Sequence, residues 1–126
     1  MNYLSAEQVL FIHSRLVDTT GGTHGIRDIG LLQSSVERPK ATFEGKDLYP
    51  DVFHKASALM ESLIKNHPFI DGNKRTAITA AGIFLQINGH PLNTSQQNLE
   101  RFTLKMAAGK VSLRDASKWF TENSGL

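Results

Sequence analysis

The sequence of 126 residues has no cysteine, which excludes disulfides and thiolate chemistry. No apolar run approaches the roughly 18 residues that a membrane span needs, and residues 1–5 show no basic stretch before an apolar core, so no signal peptide is predicted. Neither sign of charge dominates: the formal net charge is +2 and the basic residues form no long run. We therefore expect one domain over residues 1–126, located in the cytoplasm, with no membrane contact and no direct nucleic-acid partner.

Prolines are also few, and the four that occur lie at the edges of segments with helical periodicity. The sequence therefore predicts an all-α protein, a compact bundle of six helices. Ser5 with Gln8 forms a capping-box pattern at the start of the first helix. The predicted helices cover residues 5–17, 29 to before Pro39, about 50 to 66 or 67, 73–88, 95–108, and from Ser112 onward.

The apolar spacing also predicts which residues of these helices are buried. In the second helix Ile29, Leu32 and Val36 are expected to face inward. Apolar residues surround the fourth helix on nearly all sides, which is typical of the buried central helix of a bundle. The remaining predicted core residues are Val9, Ile12 and Leu16 in the first helix, Phe53, Ala56, Met60 and Leu63 in the third, Leu99, Phe102 and Met106 in the fifth, and Leu113, Ala116 and Phe120 in the sixth.

Two irregular segments interrupt the helices. Residues 40–49 contain Thr42 and Phe43 before Glu44-Gly45, a pattern that predicts a small β-hairpin or flap standing off the bundle. Between the third and fourth helices, Pro68 is expected to force His67 toward an extended backbone and so to end the third helix.

The second irregular segment holds unusual chemistry. From His67 to Arg75 the chain reads His-Pro-Phe-Ile-Asp-Gly-Asn-Lys-Arg, and a helix is predicted to begin at its end. The N-terminus of a helix attracts anions and disfavours cations, by about 0.3–1 kcal/mol each at an exposed position. Yet Lys74 and Arg75 fall in the first turn. A bound polyphosphate is the simplest compensation.

Each side chain of this segment has a functional and a plain structural interpretation. Asp71 could cap the fourth helix or could ligate magnesium, which takes one or two carboxylates together with phosphate oxygens. Gly72 and Asn73 let backbone amides approach a phosphate, and Asn73 could equally hold the loop closed. Lys74 offers a compact charge and Arg75 a bidentate fork for phosphate oxygens.

His67 and Phe69 complete the segment. An unperturbed imidazole titrates near neutral pH, so His67 is suited to remove a hydroxyl proton as a general base. Phe69 is apolar in an otherwise polar loop and is predicted to pin that loop to the core. The dipeptide His90-Pro91 repeats the His-Pro pair without a following Asp, Lys or Arg, so it predicts only a turn.

The nine residues from His67 to Arg75 closely resemble the signature of the Fic/Doc superfamily, His-Pro-Phe-x-Asp/Glu-Gly-Asn-Gly/Lys-Arg. Residues 25–32, Arg38-Pro39 and residues 47–50 are similar to its short death-on-curing, or Doc, branch, whose members are bacterial toxins. The resemblance implies a Fic-type fold that binds ATP and Mg²⁺. It assigns His67 as the base, Asp71 as the metal ligand, and residues 40–49 as the flap that docks the target. The implied phosphate-binding residues are Gly72, Asn73, Lys74 and Arg75.

Lys74 and Ile78 distinguish two possible reactions. Fic enzymes that transfer AMP carry Gly at the position of Lys74 and a second Arg at the position of Ile78. In Doc-like members the Lys accompanies an inverted ATP, so the γ-phosphate is transferred. The resemblance therefore implies a protein kinase that phosphorylates a threonine of elongation factor Tu and halts translation. AMP transfer to a protein hydroxyl, and a non-catalytic helical binding module, stay open as alternatives.

A regulatory partner is also implied. Many Fic proteins carry an inhibitory helix in which Ser or Thr is followed four residues later by Glu and then by Gly or Asn. This sequence has no such match, because Lys40 and Lys118 occupy the Ser or Thr position of the two nearest candidates. The resemblance implies a separate antitoxin of the Phd type, whose disordered tail folds into a groove on the toxin.

Overall fold

A computed structural model describes residues 1–125, which form six α-helices, one short 3₁₀ turn and a two-stranded hairpin. This confirms the predicted all-α class with a small flap. None of these helices has the length and apolar character that crossing a membrane requires. The helices are α1 (Ala6–Thr20), α2 (Ile29–Glu37), α3 (Val52–Asn66), α4 (Asn73–Ile87), α5 (Gln96–Ala107) and α6 (Leu113–Glu122).

Helix α1 runs three residues beyond the predicted end at Val17. Its last turn is held by side chains that bond back to the helix: the hydroxyl of Thr19 donates to the carbonyl of Arg15, and that of Thr20 donates to Leu16. Gly21, at φ 88°, then ends it. The chain consequently leaves α1 beside the start of α4.

Five of the six α-helices begin with a side chain that accepts a hydrogen bond from the first turn. The caps of α1, α2, α3, α5 and α6 are Ser5, Asp28, Asp51, Ser95 and Ser112. Ser5 and Gln8 form the predicted reciprocal capping box. Helix α4 differs, because Gly72 precedes it and supplies no side-chain cap.

The core lies around α3 and α4, which pack against each other. Helix α3 is the more enclosed of the two: ten of its fifteen residues are buried, against seven of fifteen in α4. The prediction that α4 is buried on nearly all sides was wrong for one face. Ile78 and Ile83 are only half-buried there, because that face borders an open cleft beside α5. Ile87, in the last turn of α4, is 42% exposed.

Six other burial predictions need correction. Ile29 is 53% exposed, whereas Leu32 and Val36 are buried as expected. The buried face of α2 is formed by Leu32, Ser35 and Val36. With about 100° of rotation per residue, the centre of this face lies roughly 70° around the helix from Ile29. A prediction based on apolar spacing alone does not assign a serine such as Ser35 to the buried face. In addition, Phe53 and four residues of other helices are half-buried instead of buried: Ile12, Leu16, Leu99 and Leu113.

Residues 40–49, called the flap below, form the predicted hairpin from strands β1 (Thr42–Phe43) and β2 (Lys46–Asp47). Glu44 and Gly45 connect them at φ 51° and 79°, the paired positive angles of a tight two-residue turn. Lys55, on α3, is almost fully buried and bonds the carbonyl of Pro39 at 3.1 Å and the carboxylate of Asp47 at 3.2 Å. The flap is therefore fastened to the central helix by a buried cation.

Arg38 reinforces the base of the flap. Its guanidinium donates to the Tyr49 hydroxyl at 2.9 Å and pairs with Glu61 of α3 at 2.9 Å. Burial works to lower the pKa of Arg38, but the hydrogen bonds to Tyr49 and Glu61 outweigh it and hold the pKa above its usual value. Arg38 therefore stays charged and keeps both ends of the flap against α3.

Candidate active site

Residues 67–72, called the motif loop below, connect α3 to α4. His67 ends α3 in the left-handed conformation, at φ 46° and ψ 57°, and not in the extended backbone predicted from Pro68. Arg27 explains how this conformation is held: its guanidinium donates to the carbonyls of His67 and Asn66, both at 2.6 Å. These two charge-assisted bonds satisfy the end of α3 and fix the His67 backbone. Non-glycine residues in this region cluster at functional sites.

Phe69 anchors the motif loop, as predicted. Its side chain is 1% exposed and stacks on the ring of His13 in α1, with the centroids 3.9 Å apart and the planes 4° from parallel. The side chain of Asn73 closes the loop from the other side, because it accepts from the Phe69 amide and donates to the Phe69 carbonyl, each at 2.9 Å. Of the two roles open to Asn73, holding the loop closed is therefore observed.

The segment between α1 and α2 runs alongside the motif loop. Ile26 and Phe69 form an antiparallel bridge, and the Ile70 amide donates to the Gly25 carbonyl at 3.1 Å. The Pro68 carbonyl accepts from the amides of Arg27 and Asp28. These bonds join two loops that are some forty residues apart in sequence into one rigid unit, which the sequence patterns did not predict.

Asp71 is exposed and lies at the junction of these loops. One carboxylate oxygen accepts from the amide of Thr23 at 3.1 Å, and the other accepts from the amide of Gly72 at 2.9 Å. Neither bond comes from an amide in the first turn of α4. Asp71 therefore does not cap this helix, which was the structural alternative considered for it. The carboxylate keeps lone pairs available for a cation.

The start of α4 has the features of an anion site. The amides of Asn73, Lys74 and Arg75 make no hydrogen bond within residues 1–125. Lys74 and Arg75 are both exposed in this first turn, and Arg75 donates to the Thr20 hydroxyl at 2.6 Å. Three unpaired amides and two cations thus converge on the surface beside Asp71.

The donor set fits Mg²⁺ bound together with a polyphosphate better than a metal bound by protein alone. Residues 1–125 contain no group of three His, Asp or Glu side chains that could hold an ion. Asp71 offers a single carboxylate, and Mg²⁺ commonly takes one or two carboxylates with the remaining ligands from phosphate and water. The adjacent free amides suit the phosphate oxygens.

His67 lies beside this anion site. Its side chain is brought close to Asn73, with Nδ1 of the ring 3.4 Å from the side-chain nitrogen Nδ2 of Asn73. The residue is exposed, so its ring is accessible to a substrate. His90, the other His-Pro histidine, follows the far end of α4, which is about 20 Å long at 1.5 Å per residue. It packs edge-on against Phe53 and takes no part in the site.

A cleft of about 800 Å³ opens from the start of α4. Lys74 and Arg75 line it, and the rest of its wall comes from α4, α5, the connection between these two helices and the end of α1. We call it the α4–α5 cleft. Its apolar lining includes Ile78, Ile83, Leu92, Leu99 and Leu104.

Several residues of the site were not identified from the sequence. No sequence pattern assigned a role to His13, yet it supports Phe69 and bonds the carbonyl of Asp71. Arg27 lies in residues 25–32, which contributed to the family resemblance but suggested no role for it, and Thr23 lies in a segment without a chemical pattern. The one available sequence signal for His13 was its spacing, four residues after Val9 and four before Val17, which places it on the buried face of α1.

Comparison with known proteins accounts for this arrangement. The model of the Fic/DOC family matches residues 3–85, which include the motif loop and nearly all of α4. The chain belongs to the Fic/DOC family. Among its relatives is the Toxin Doc of Mycolicibacterium smegmatis, 51% identical over 87 residues, which cover 69% of this chain and 65% of that protein. Another is the Protein kinase doc of Escherichia phage P1, 28% identical over 113 residues, which cover 90% of this chain and 88% of that protein.

Family membership thus agrees with the resemblance found in the sequence. The match to the Toxin Doc spans just under two thirds of that relative's length. The match to the phage protein is weaker in identity but extends over nearly the whole of both chains. Both of these relatives carry Doc in their names.

Proposed function

We propose that this chain is a protein kinase toxin that transfers the γ-phosphate of ATP to a threonine hydroxyl of elongation factor Tu, and so halts translation in the bacterial cytoplasm. The observation that carries the proposal is the start of α4. It has no side-chain cap, it leaves the amides of Asn73, Lys74 and Arg75 unpaired, and it bears two cations. The name of the phage relative, Protein kinase doc, agrees with the reaction.

The triphosphate of ATP is the anion that these groups suit. A helix start with free amides favours negative charge, and the two cations that the helix dipole disfavours become favourable once phosphate is bound. Arg75 is pre-oriented by Thr20, which reduces the side-chain freedom lost on binding. Gly72 contributes through its backbone, because it leads into α4 at φ 76°, a conformation that glycine adopts without strain.

Asp71 is proposed to hold Mg²⁺ together with the phosphates. The bonds from Thr23 and Gly72 orient its carboxylate while leaving lone pairs free. When bound, the metal ion neutralises the charge of the phosphates and aligns them for in-line attack. The protein contributes positioning, since phosphoryl transfer asks for little covalent chemistry from side chains.

His67 is proposed to accept the proton of the target hydroxyl as the threonine oxygen attacks the γ-phosphorus. The oxygen–phosphorus bond to the target forms as the bond to the β-phosphate oxygen breaks, and ADP leaves. The ring is exposed and its backbone is fixed by Arg27. The flap, fastened to α3 by Lys55, would hold the target segment near it.

Lys74 and Ile78 favour phosphate transfer over AMP transfer. Lys74 places a cation where AMP-transferring relatives have Gly. Ile78 lines the α4–α5 cleft where those enzymes have a second Arg. The chain therefore lacks one cation that AMP transfer uses and has another that Doc-like kinases use.

Labelled ATP separates the two reactions. Incubated with elongation factor Tu or a bacterial lysate, the protein is expected to transfer label from ATP carrying it in the γ-phosphate and none from ATP carrying it in the α-phosphate. Label retained only from the α position would establish AMP transfer and overturn the kinase proposal. No label from either position, with growth inhibition intact, would favour a non-catalytic binding module.

An antitoxin of the Phd type is proposed to bind the α4–α5 cleft. The cleft has a volume of about 800 Å³ and apolar residues among its lining, as suits a disordered segment that folds into a helix on binding. Lys74 and Arg75 lie at one end, so an occupant would also shield phosphate-binding residues. The absence of an inhibitory motif in the sequence agrees with control by a separate chain.

Gly22 provides a test of the role of Asp71. A Cβ at Gly22 would lie 2.8 Å from a carboxylate oxygen of Asp71, whereas one at Gly21 would meet nothing within 4 Å. Both glycines have positive φ, so alanine strains the backbone at either position. We expect Gly22→Ala to displace the Asp71 side chain and to raise the Mg²⁺ concentration for half-maximal transfer by about tenfold, and Gly21→Ala to change it little. Equal effects of the two variants in a Mg²⁺ titration would contradict a metal-binding Asp71.

A further inference from the structure

His13 is a buried histidine that the proposed reaction does not use. It lies in the middle of α1, 1% exposed, and its side chain points at the motif loop. The nitrogen Nε2 lies 2.7 Å from the backbone carbonyl oxygen of Asp71. A carbonyl oxygen only accepts, so Nε2 of His13 carries a proton and donates it. The face of the His13 ring stacks on Phe69.

The carbonyl that His13 binds belongs to the peptide group that joins Asp71 to Gly72. The amide of this same peptide donates to the Asp71 carboxylate, and the next amides along the chain are the unpaired ones of Asn73 and Lys74. Rotation of this peptide would therefore move the carboxylate and the start of the anion site together. The Thr23 amide holds the same carboxylate from the other side.

We propose that His13 is a positioning residue, which fixes the Asp71–Gly72 peptide and thereby holds the Asp71 carboxylate and the first amides of α4 ready for Mg²⁺ and phosphate. The inference rests on the proposed function, since it assumes that this site binds MgATP. Groups that orient a metal ligand from behind typically change metal affinity or activity by about 10–100-fold when removed.

A matched pair of substitutions separates the hydrogen bond from the ring stack. Both His13→Gln and His13→Met remove the stack on Phe69 and have similar length and helix propensity. Only Gln can donate to the Asp71 carbonyl. Binding of ATP in the presence of MgCl₂, measured by calorimetry, is expected to weaken by about 10–100-fold in His13→Met and by no more than about threefold in His13→Gln. Melting temperatures are expected to fall equally.

Spectroscopy provides a readout that does not depend on the nucleotide. In ¹⁵N NMR of the wild-type protein, Nε2 of His13 is expected to have the shift of a protonated nitrogen. The amide resonance of Gly72 is expected to move in His13→Met and to stay near its wild-type position in His13→Gln. An unprotonated Nε2, or equal losses of MgATP binding in the two variants, would overturn the proposal. The wild-type measurement decides the matter even where a variant does not fold.

Failure of this inference differs from failure of the proposed function. If the wild type binds MgATP in a His13-dependent way but transfers no γ-phosphate, the kinase proposal is wrong and the positioning role stands. If the wild type binds no MgATP, the kinase proposal and the positioning role are both wrong, because the positioning role assumes that this site binds MgATP. If γ-phosphate is transferred while Gln and Met behave alike, only the positioning role is wrong.

Discussion

Replacing His67 with alanine is expected to lower phosphate transfer by about 10²–10⁴-fold, the usual cost of losing a general base. Growth inhibition on expression should disappear with it. The fold should be unaffected, because the His67 side chain is exposed and the bonds that fix this part of the loop use its backbone carbonyl. Transfer of label from γ-labelled ATP, measured on purified protein, gives the rate, and circular dichroism checks the fold.

His90 supplies a control of the same chemistry. It also precedes a proline and is also exposed, but it lies beyond the far end of α4 and contacts Phe53. His90→Ala is expected to keep full phosphate transfer and full growth inhibition. Intact growth inhibition by His67→Ala would contradict an enzymatic mechanism and favour a binding module.

Replacing Lys74 with glycine is expected to weaken γ-phosphate transfer by roughly 10²-fold, the scale for removing one charge-stabilising group from a transferring centre. Lys74 makes no salt bridge within residues 1–125, so its loss breaks no ion pair of the fold. The comparison of α- and γ-labelled ATP is again the measurement, since it also detects any AMP transfer by the variant.

Lys118→Gly controls for the effect of glycine on a helix. Lys118 is an exposed residue of α6. Its replacement with glycine lowers the stability of a helix by about 1 kcal/mol but changes no residue of the candidate site. This variant is expected to lose a little thermal stability and no activity. Undiminished phosphorylation by Lys74→Gly would show that Lys74 does not hold the phosphates of ATP.

The helices and their ends were largely predictable because they depend on local chemistry. Apolar spacing marked the six helices, and Ser5 and Ser112 marked starts that the structure confirms. The hairpin turn at Glu44-Gly45 was likewise visible. Burial was predicted less well: Ile29 is exposed and Lys55 is buried, because burial depends on which elements pack against a helix and not on residue type alone.

The motif from His67 to Arg75 was also visible in the sequence, since two cations at a helix start break a local electrostatic rule. Whether Asp71 caps the helix could not be decided there, because the answer depends on which amides its carboxylate reaches. The structure shows those of Thr23 and Gly72. The backbone of His67 was predicted wrongly, since the bonds from Arg27 hold a conformation that Pro68 disfavours.

By itself the sequence determined the all-α class, most helix starts, the motif from His67 to Arg75 and the resemblance to a family to which the chain indeed belongs. Each of these follows from neighbours along the chain: spacing, caps, or nine consecutive residues. Only the tertiary structure decided how the site is held. His13, Thr23 and Arg27 reach it from another segment, and contacts between residues some forty to sixty positions apart leave no periodic or compositional trace in a single sequence.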